Sequence, residues 1–77
     1  MYTKRKQKIG SDFMKNVSEK LIVLRGERTQ KEVAENIGIT ASALANYEAG
    51  IRMPRDEIKK KIAKYYKVSV GEIFFEE

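Results

Sequence analysis

Apolar residues recur along the chain at the spacing of helices. The first stripe consists of residues four, four and three positions apart: Phe13, Val17, Leu21 and Leu24. Ser11 or Asp12 can cap the start of this helix. Gly26 is placed to end it after Arg25 in the left-handed conformation. No run of residues alternates for the length of a strand, so the pattern predicts an all-α fold.

Two segments have the sequence of a capping box, in which a hydroxyl and a carboxylate satisfy each other's backbone donors. Thr29 to Glu32 opens a second helix that we expect to end at about Ile37, before Gly38. Ser69 to Glu72 opens a short last helix, for which Ile73 and Phe74 are the expected anchors and Phe75 is a further candidate.

Two further helices lie between these. Thr40 can cap a third helix from Ala41 to about Ala49, and a fourth begins at Pro54 or Asp56 and ends at about Tyr66. The inward residues of the fourth helix are Ile58, Ile62 and Tyr65. Its outward residues are Lys59, Lys60, Lys61, Lys64 and Lys67. The sequence therefore predicts five helices.

The composition narrows the range of possible functions. The 77 residues contain no cysteine and no histidine, which removes the usual nucleophile, general base and zinc ligands. We therefore expect no enzyme, no metal and no other cofactor. The longest apolar run, residues 21–24, is far shorter than a membrane span of about 20 residues. No cleavage signal follows the basic start, so we expect an intracellular, cytoplasmic protein.

The net charge of +5 is unevenly distributed. Residues 1–8 carry four positive charges, and residues 52–67 hold seven basic and two acidic side chains. We expect residues 1–10 to form a flexible basic arm and residues 11–77 to form the folded domain. Two basic patches indicate a polyanion partner, although ordinary solubility explains them equally well at this stage.

Residues 30–49 have the features that a helix-turn-helix needs. A small residue, Ala34, lies where the two helices would cross, and Gly38 allows the turn between them. The inner faces are apolar: Val33, Ile37, Ile39, Leu44 and Tyr47. The outer face of the second helix lacks bulky apolar groups: Ala41, Ser42, Ala45 and Asn46. An ordinary pair of packed helices is the competing interpretation, but these features occur together within twenty residues.

Three segments carry a resemblance to a known family: residues 29–34 (TQKEVA), 38–40 (GIT) and 44–50 (LANYEAG). They resemble the xenobiotic-response-element family of bacterial and phage regulators, which includes the Cro- and lambda-repressor-like DNA-binding domains. The resemblance covers about residues 17–75. It implies a five-helix, lambda-repressor-like domain that binds double-stranded operator DNA as a homodimer. It also implies a transcriptional regulator, and we expect a repressor.

The resemblance also implies roles for individual residues. The positions that meet base edges are Ala41, Ser42, Ala45 and Asn46. The positions that contact phosphates are Gln30, Thr40, Arg52 and Arg55. Many relatives carry Gln or Arg on the base-reading face and this chain has neither, so Asn46 is the expected principal base reader. Glu48 and Arg25 resemble a structural pair that links the third helix to the first, and Tyr47 matches a core position.

Several alternatives stay open. The basic residues of the arm either contact DNA or belong to a disordered tail: Lys4, Arg5, Lys6 and Lys8. A second functional class is a protein-interaction module, such as an antitoxin-like or anti-repressor subunit, which a small uncharged recognition face and exposed aromatic residues, Phe74 and Phe75, would suit. A membrane-bound basic helix is disfavoured, because the core needs its apolar face. Nothing indicates a small-molecule ligand.

Overall fold

A computed structural model describes the backbone of residues 9–75 and the side chains of residues 14–75. It contains five helices: α1 (Ile9–Arg25), α2 (Gln30–Ile37), α3 (Ala41–Glu48), α4 (Asp56–Tyr66) and α5 (Val70–Phe74). Residues 9–75 include no strand. The predicted all-α, five-helix fold is confirmed.

The start of α1 differs from the prediction. The helix begins at Ile9, so the last two residues of the predicted arm are helical and Ser11 and Asp12 lie within α1 rather than capping it. In the sequence, Ile9 continues the four-residue spacing of Phe13 and Val17. That spacing favours helix through Gly10, which costs only about 1 kcal/mol at an internal position. The side chain of Phe13 lies outside the described part.

The two predicted capping boxes differ in completeness. Around α5 the box is complete, because Glu72 N donates to Ser69 Oγ (3.1 Å) and Ser69 N donates to Glu72 Oε1 (2.8 Å). Around α2 the described contacts include only one half, in which Glu32 N donates to Thr29 Oγ1 (3.0 Å). The Glu32 side chain is exposed. Water can therefore replace the second bond, and α2 begins at Gln30 as predicted.

The core lies between all five helices. Its largest fully buried side chains are Phe74, Leu21, Leu44, Ile62, Ile73 and Val33. Phe74 is fully buried, whereas Phe75 is 57% exposed. Phe74 therefore anchors α5 as predicted and Phe75 does not, since the short α5 turns only one of two adjacent residues inward. The exposed aromatic pair that favoured the protein-interaction alternative is wrong for Phe74 and is reduced to Phe75.

The packing of the helices leaves one side of α3 uncovered. Both α1 and α2 pack against α3, while α5 packs against α1 and α4. Leu44 and Tyr47 direct α3 into the core, as expected. The opposite side of α3 is thus presented to solvent by the rest of the domain.

One lysine of α4 does not point outward as predicted. The Lys59 side chain is only 17% exposed, and its Nζ lies 3.8 Å from Asp56 Oδ1 and 5.5 Å from the centre of the Phe74 ring. Its methylene chain covers the end of the core while the ammonium reaches water. The other outward predictions for α4 are confirmed: Lys60, Lys61, Lys64 and Lys67 are exposed.

None of the helices in residues 9–75 combines the length and the hydropathy that crossing a bilayer requires.

The two adjacent phenylalanines provide a matched test of this core. Phe74→Ala should lower the free energy of unfolding by about 3–5 kcal/mol, because it removes a ring that has no solvent exposure. Phe75→Ala should change it by less than about 0.5 kcal/mol, as is usual at the surface. Urea denaturation followed by circular dichroism measures both. Equal decreases in the free energy of unfolding of the two variants would contradict the orientation of α5, in which Phe74 is buried and Phe75 is exposed.

Candidate nucleic-acid interface

The turn between α2 and α3 has the geometry that the sequence predicted. Gly38 adopts a left-handed conformation (φ 97°), which is unfavourable for a residue that carries a side chain. The N–H groups of Gly38 and Ile39 both donate to the Ala34 carbonyl, at 2.8 and 3.0 Å. Ala34 is itself buried. The chain therefore reverses within three residues and sets α3 directly against α2.

The outward face of α3 consists of small or uncharged residues. Thr40 caps the helix, because its Oγ1 accepts a hydrogen bond from Ala43 N (3.0 Å). Ala41 and Ser42 are exposed, and Ala45 and Asn46 are partly exposed. Positions three and four apart share a helix face, so the four predicted base-reading residues lie together. Nothing larger than Asn46 projects from this face.

A short connector after α3 carries two exposed arginines. The backbone carbonyl of Asn46 accepts hydrogen bonds from Ile51 N (3.0 Å) and Arg52 N (3.3 Å). Pro54 is buried and holds the other end of the connector. Arg52 and Arg55 are both exposed. These contacts fix the connector beside the C-terminal end of α3 and leave both guanidinium groups available.

A buried carboxylate joins three helices behind this surface. The Glu48 side chain is 3% exposed, and its Oε2 lies 2.8 Å from Arg25 Nε. Its Oε1 accepts a hydrogen bond from Gln30 Nε2 (2.8 Å). Both carboxylate oxygens are therefore engaged, as a buried charge requires. The bond to Glu48 raises the pKa of Arg25, against a smaller lowering by desolvation. The expected Arg25–Glu48 pair is confirmed.

The position of Gln30 adds a contact that the sequence did not suggest. Its side-chain amide points toward Glu48 rather than directly outward, and the residue is partly buried. An amide nitrogen has two hydrogens, so one remains for a phosphate after the bond to Glu48. The bond fixes Gln30 at the first turn of α2, where the positive end of the helix favours an anion.

Arg28, whose role was not predicted, ties α1 to α4. Its Nη2 and Nε donate to the carbonyls of Leu24 (2.8 Å) and Arg25 (3.2 Å) in the last turn of α1, where carbonyls lack partners within the helix. Its Nη1 donates to the hydroxyl of Tyr65 (3.1 Å). The guanidinium also lies 5.4 Å from the centre of the Tyr65 ring and 5.5 Å from that of Tyr66. No local spacing signals a contact 37 residues away in the chain.

Tyr66 is the polar exception in this region. Its hydroxyl is buried and has no hydrogen-bond partner among the described residues. Burial, together with the nearby Glu48 carboxylate and against a lowering by Arg28, raises the pKa of Tyr66 to about 12. The hydroxyl thus stays neutral in the folded protein over a wider pH range than a free tyrosine.

The basic arm residues lie outside the described residues: Lys4, Arg5, Lys6 and Lys8.

Two packed helices joined by a tight turn, with an open second helix, define a helix-turn-helix protein. The sequence profile of the helix-turn-helix family matches residues 20–73. The chain belongs to this family.

A comparison with curated proteins finds a relative of known role. The chain is similar to the cryptic phage CTXphi transcriptional repressor RstR of Vibrio cholerae, with 40% identity over 58 residues. The similarity covers 73% of this chain and 52% of that protein, so the chain spans about half the length of the curated relative it matches. No solved structure gives a significant match.

The buried hydroxyl of Tyr66 generates a prediction about pH. An unfolded tyrosine loses its proton near pH 10, whereas folded Tyr66 keeps it to about pH 12. Between these values the unfolded state binds fewer protons, so stability should fall as the pH rises. Tyr66→Phe should flatten this loss and should stabilise the protein at neutral pH by about 1 kcal/mol, because an unsatisfied polar group is removed.

Urea denaturation at pH 7 and at several points between pH 10 and 12 measures both effects of Tyr66→Phe. Tyr65→Phe is the matched control, because it removes an exposed hydroxyl that accepts a hydrogen bond from Arg28. A wild-type curve parallel to that of Tyr66→Phe across this range would show that the hydroxyl is not buried.

Proposed function

We propose that this protein is a sequence-specific, double-stranded DNA-binding transcriptional repressor of phage-related origin. Membership of the helix-turn-helix family and the similarity to RstR support this role. The observation that carries it is the open face of α3, which the buried Glu48 network holds outward. The major groove of DNA admits one α-helix, and the small side chains on the outward face of α3 allow this helix to enter it.

The surface divides into residues that read bases and residues that position the domain. Asn46 is the principal base reader, since its amide can pair with both polar groups on the major-groove edge of an adenine. The other base contacts are the short side chains of Ala41, Ser42 and Ala45. The phosphate contacts are Gln30, Thr40, Arg52 and Arg55, which flank the α3 face on both sides. Because direct readout is limited, part of the specificity comes from DNA shape.

The proposal also includes a second copy of the chain and the basic arm. A homodimer binds two half-sites, since a single short helix offers few base contacts. The arm residues Lys4, Arg5, Lys6 and Lys8 contact the DNA outside the major groove, as basic arms of other DNA-binding domains do. The protein acts without a catalytic step, in the cytoplasm.

Asn46→Ala tests the base-reading role. The variant should bind a site selected from a random duplex pool about 5- to 150-fold more weakly, the equivalent of ~1–3 kcal/mol for one bidentate base contact. Its affinity for non-specific DNA should hardly change, because no phosphate contact is lost. Fluorescence-anisotropy titrations with both duplexes measure this. Unchanged affinity for the selected site would remove Asn46 from the interface and favour the protein-interaction alternative.

Arg52→Ala tests the phosphate-contacting role. It should weaken specific and non-specific binding together and reduce the slope of log K against log salt by about 0.9, the value for one neutralised phosphate. Lys60→Ala removes another exposed charge, on α4, and is the control, for which the slope should stay at the wild-type value. Equal slopes for Arg52→Ala and the wild type would show that the connector does not touch the DNA backbone.

A further inference from the structure

An open groove lies between α1 and α5, away from the α3 surface. It has a volume of about 440 Å³, and its apolar lining consists of Val23, Leu24, Val68 and Ile73. Val23 is 77% exposed, which makes it the most exposed large apolar side chain in the described part of the chain. An exposed apolar side chain at the edge of such a groove is typical of a surface that a partner covers.

The groove occupies the side of α1 that faces away from α3. Ser18 and Arg25 lie on the α3 side, since Ser18 approaches Gly50 and Arg25 bonds to Glu48. At 3.6 residues per turn, Lys20 and Val23 lie about half a turn around the helix from these two. A partner seated in the groove therefore leaves the recognition face free.

We infer that the occupant is a second copy of this chain, and that the groove between α1 and α5 is the homodimer interface. The inference rests on the proposed binding of DNA as a homodimer and locates the surface that forms it. In a two-fold arrangement, Val23 of each chain enters the groove of the other. An interface between identical chains must be complementary to itself, because the same patch faces its copy.

The charges at the groove meet this requirement. Lys20 lies next to Glu19, and Glu72 lies across the groove from them. Neither Glu19 nor Lys20 forms an ion pair with another described residue. A two-fold axis through the groove brings the lysine of one chain toward the carboxylates of the other. A partner of uniform charge would lack this match.

Val23→Glu is the direct test. It places a charge in the apolar interface, so the dimer should dissociate at least ~100-fold more readily. Ile51→Glu is the matched control, since Ile51 is also β-branched and 72% exposed but lies outside the groove. Sedimentation equilibrium without DNA should give twice the 8.9 kDa chain mass for the wild type and Ile51→Glu. Val23→Glu should give the single mass, and a dimer of unchanged strength would overturn the inference.

Charge reversal gives a second measurement. Lys20→Glu leaves carboxylates as the only charged groups that line the groove. The variant should weaken the dimer at least tenfold at low salt. The effect should be smaller at high salt, where the repulsion between carboxylates is screened. Lys60→Glu reverses an exposed charge on α4 and should leave the dimer unchanged. An equal effect of both variants would assign the change to overall charge and contradict the inference.

The same samples separate this inference from the proposed function. A wild-type chain that stays monomeric to about 1 mM and binds DNA as one copy per site overturns the interface while the DNA-binding role stands. The occupant of the groove would then be a different protein. A dimer that Val23→Glu disrupts, without any DNA binding by the wild type, supports the interface and removes the proposed function.

Discussion

Burying the Glu48 carboxylate requires a cation and a second hydrogen-bond donor, and meeting these needs fixes three helices relative to one another. Arg25 supplies the cation from the end of α1, and Gln30 supplies the donor from the start of α2. Breaking a buried pair on one side leaves an unpaired charge, which typically costs about 3–5 kcal/mol. In a domain of this size, such a loss is a large part of the total stability. The orientation of α3 therefore depends on a polar contact as well as on Leu44 and Tyr47.

This arrangement relates the structure to its proposed role. The same turn of α3 that directs Glu48 inward places Asn46 on the opposite side, and the Asn46 carbonyl holds the connector that carries Arg52. The start of α2, the face of α3 and the connector are thus held as one surface by hydrogen bonds. A preorganised surface of this kind loses little entropy when it binds, which suits the proposed binding of DNA through few base contacts.

Local patterns predicted the helices well, because apolar spacing, capping residues and glycines act within a few positions. The starts of α2, α3 and α5 and the end of α2 follow from such signals, and the pairing of Arg25 with Glu48 followed from the family resemblance. Contacts that depend on tertiary packing were not predictable in this way. The bonds of Arg28 to α4 and of Gln30 to Glu48 join distant positions, and Lys59 folds over Phe74 although its neighbours Lys60 and Lys61 face water. The roles assigned to the α3 face stay predictions.

One continuous surface, formed by the start of α2, the outward face of α3 and the connector, is proposed to bind DNA. Two-dimensional NMR of the labelled protein, titrated with a duplex that contains the selected site, distinguishes this surface from the rest of the domain. We expect the largest shifts in backbone amide signals at residues 29–31, 40–46 and 51–55, with small changes in the middle of α4. Shifts that centre on the exposed lysines of α4, while the α3 signals stay in place, would contradict it.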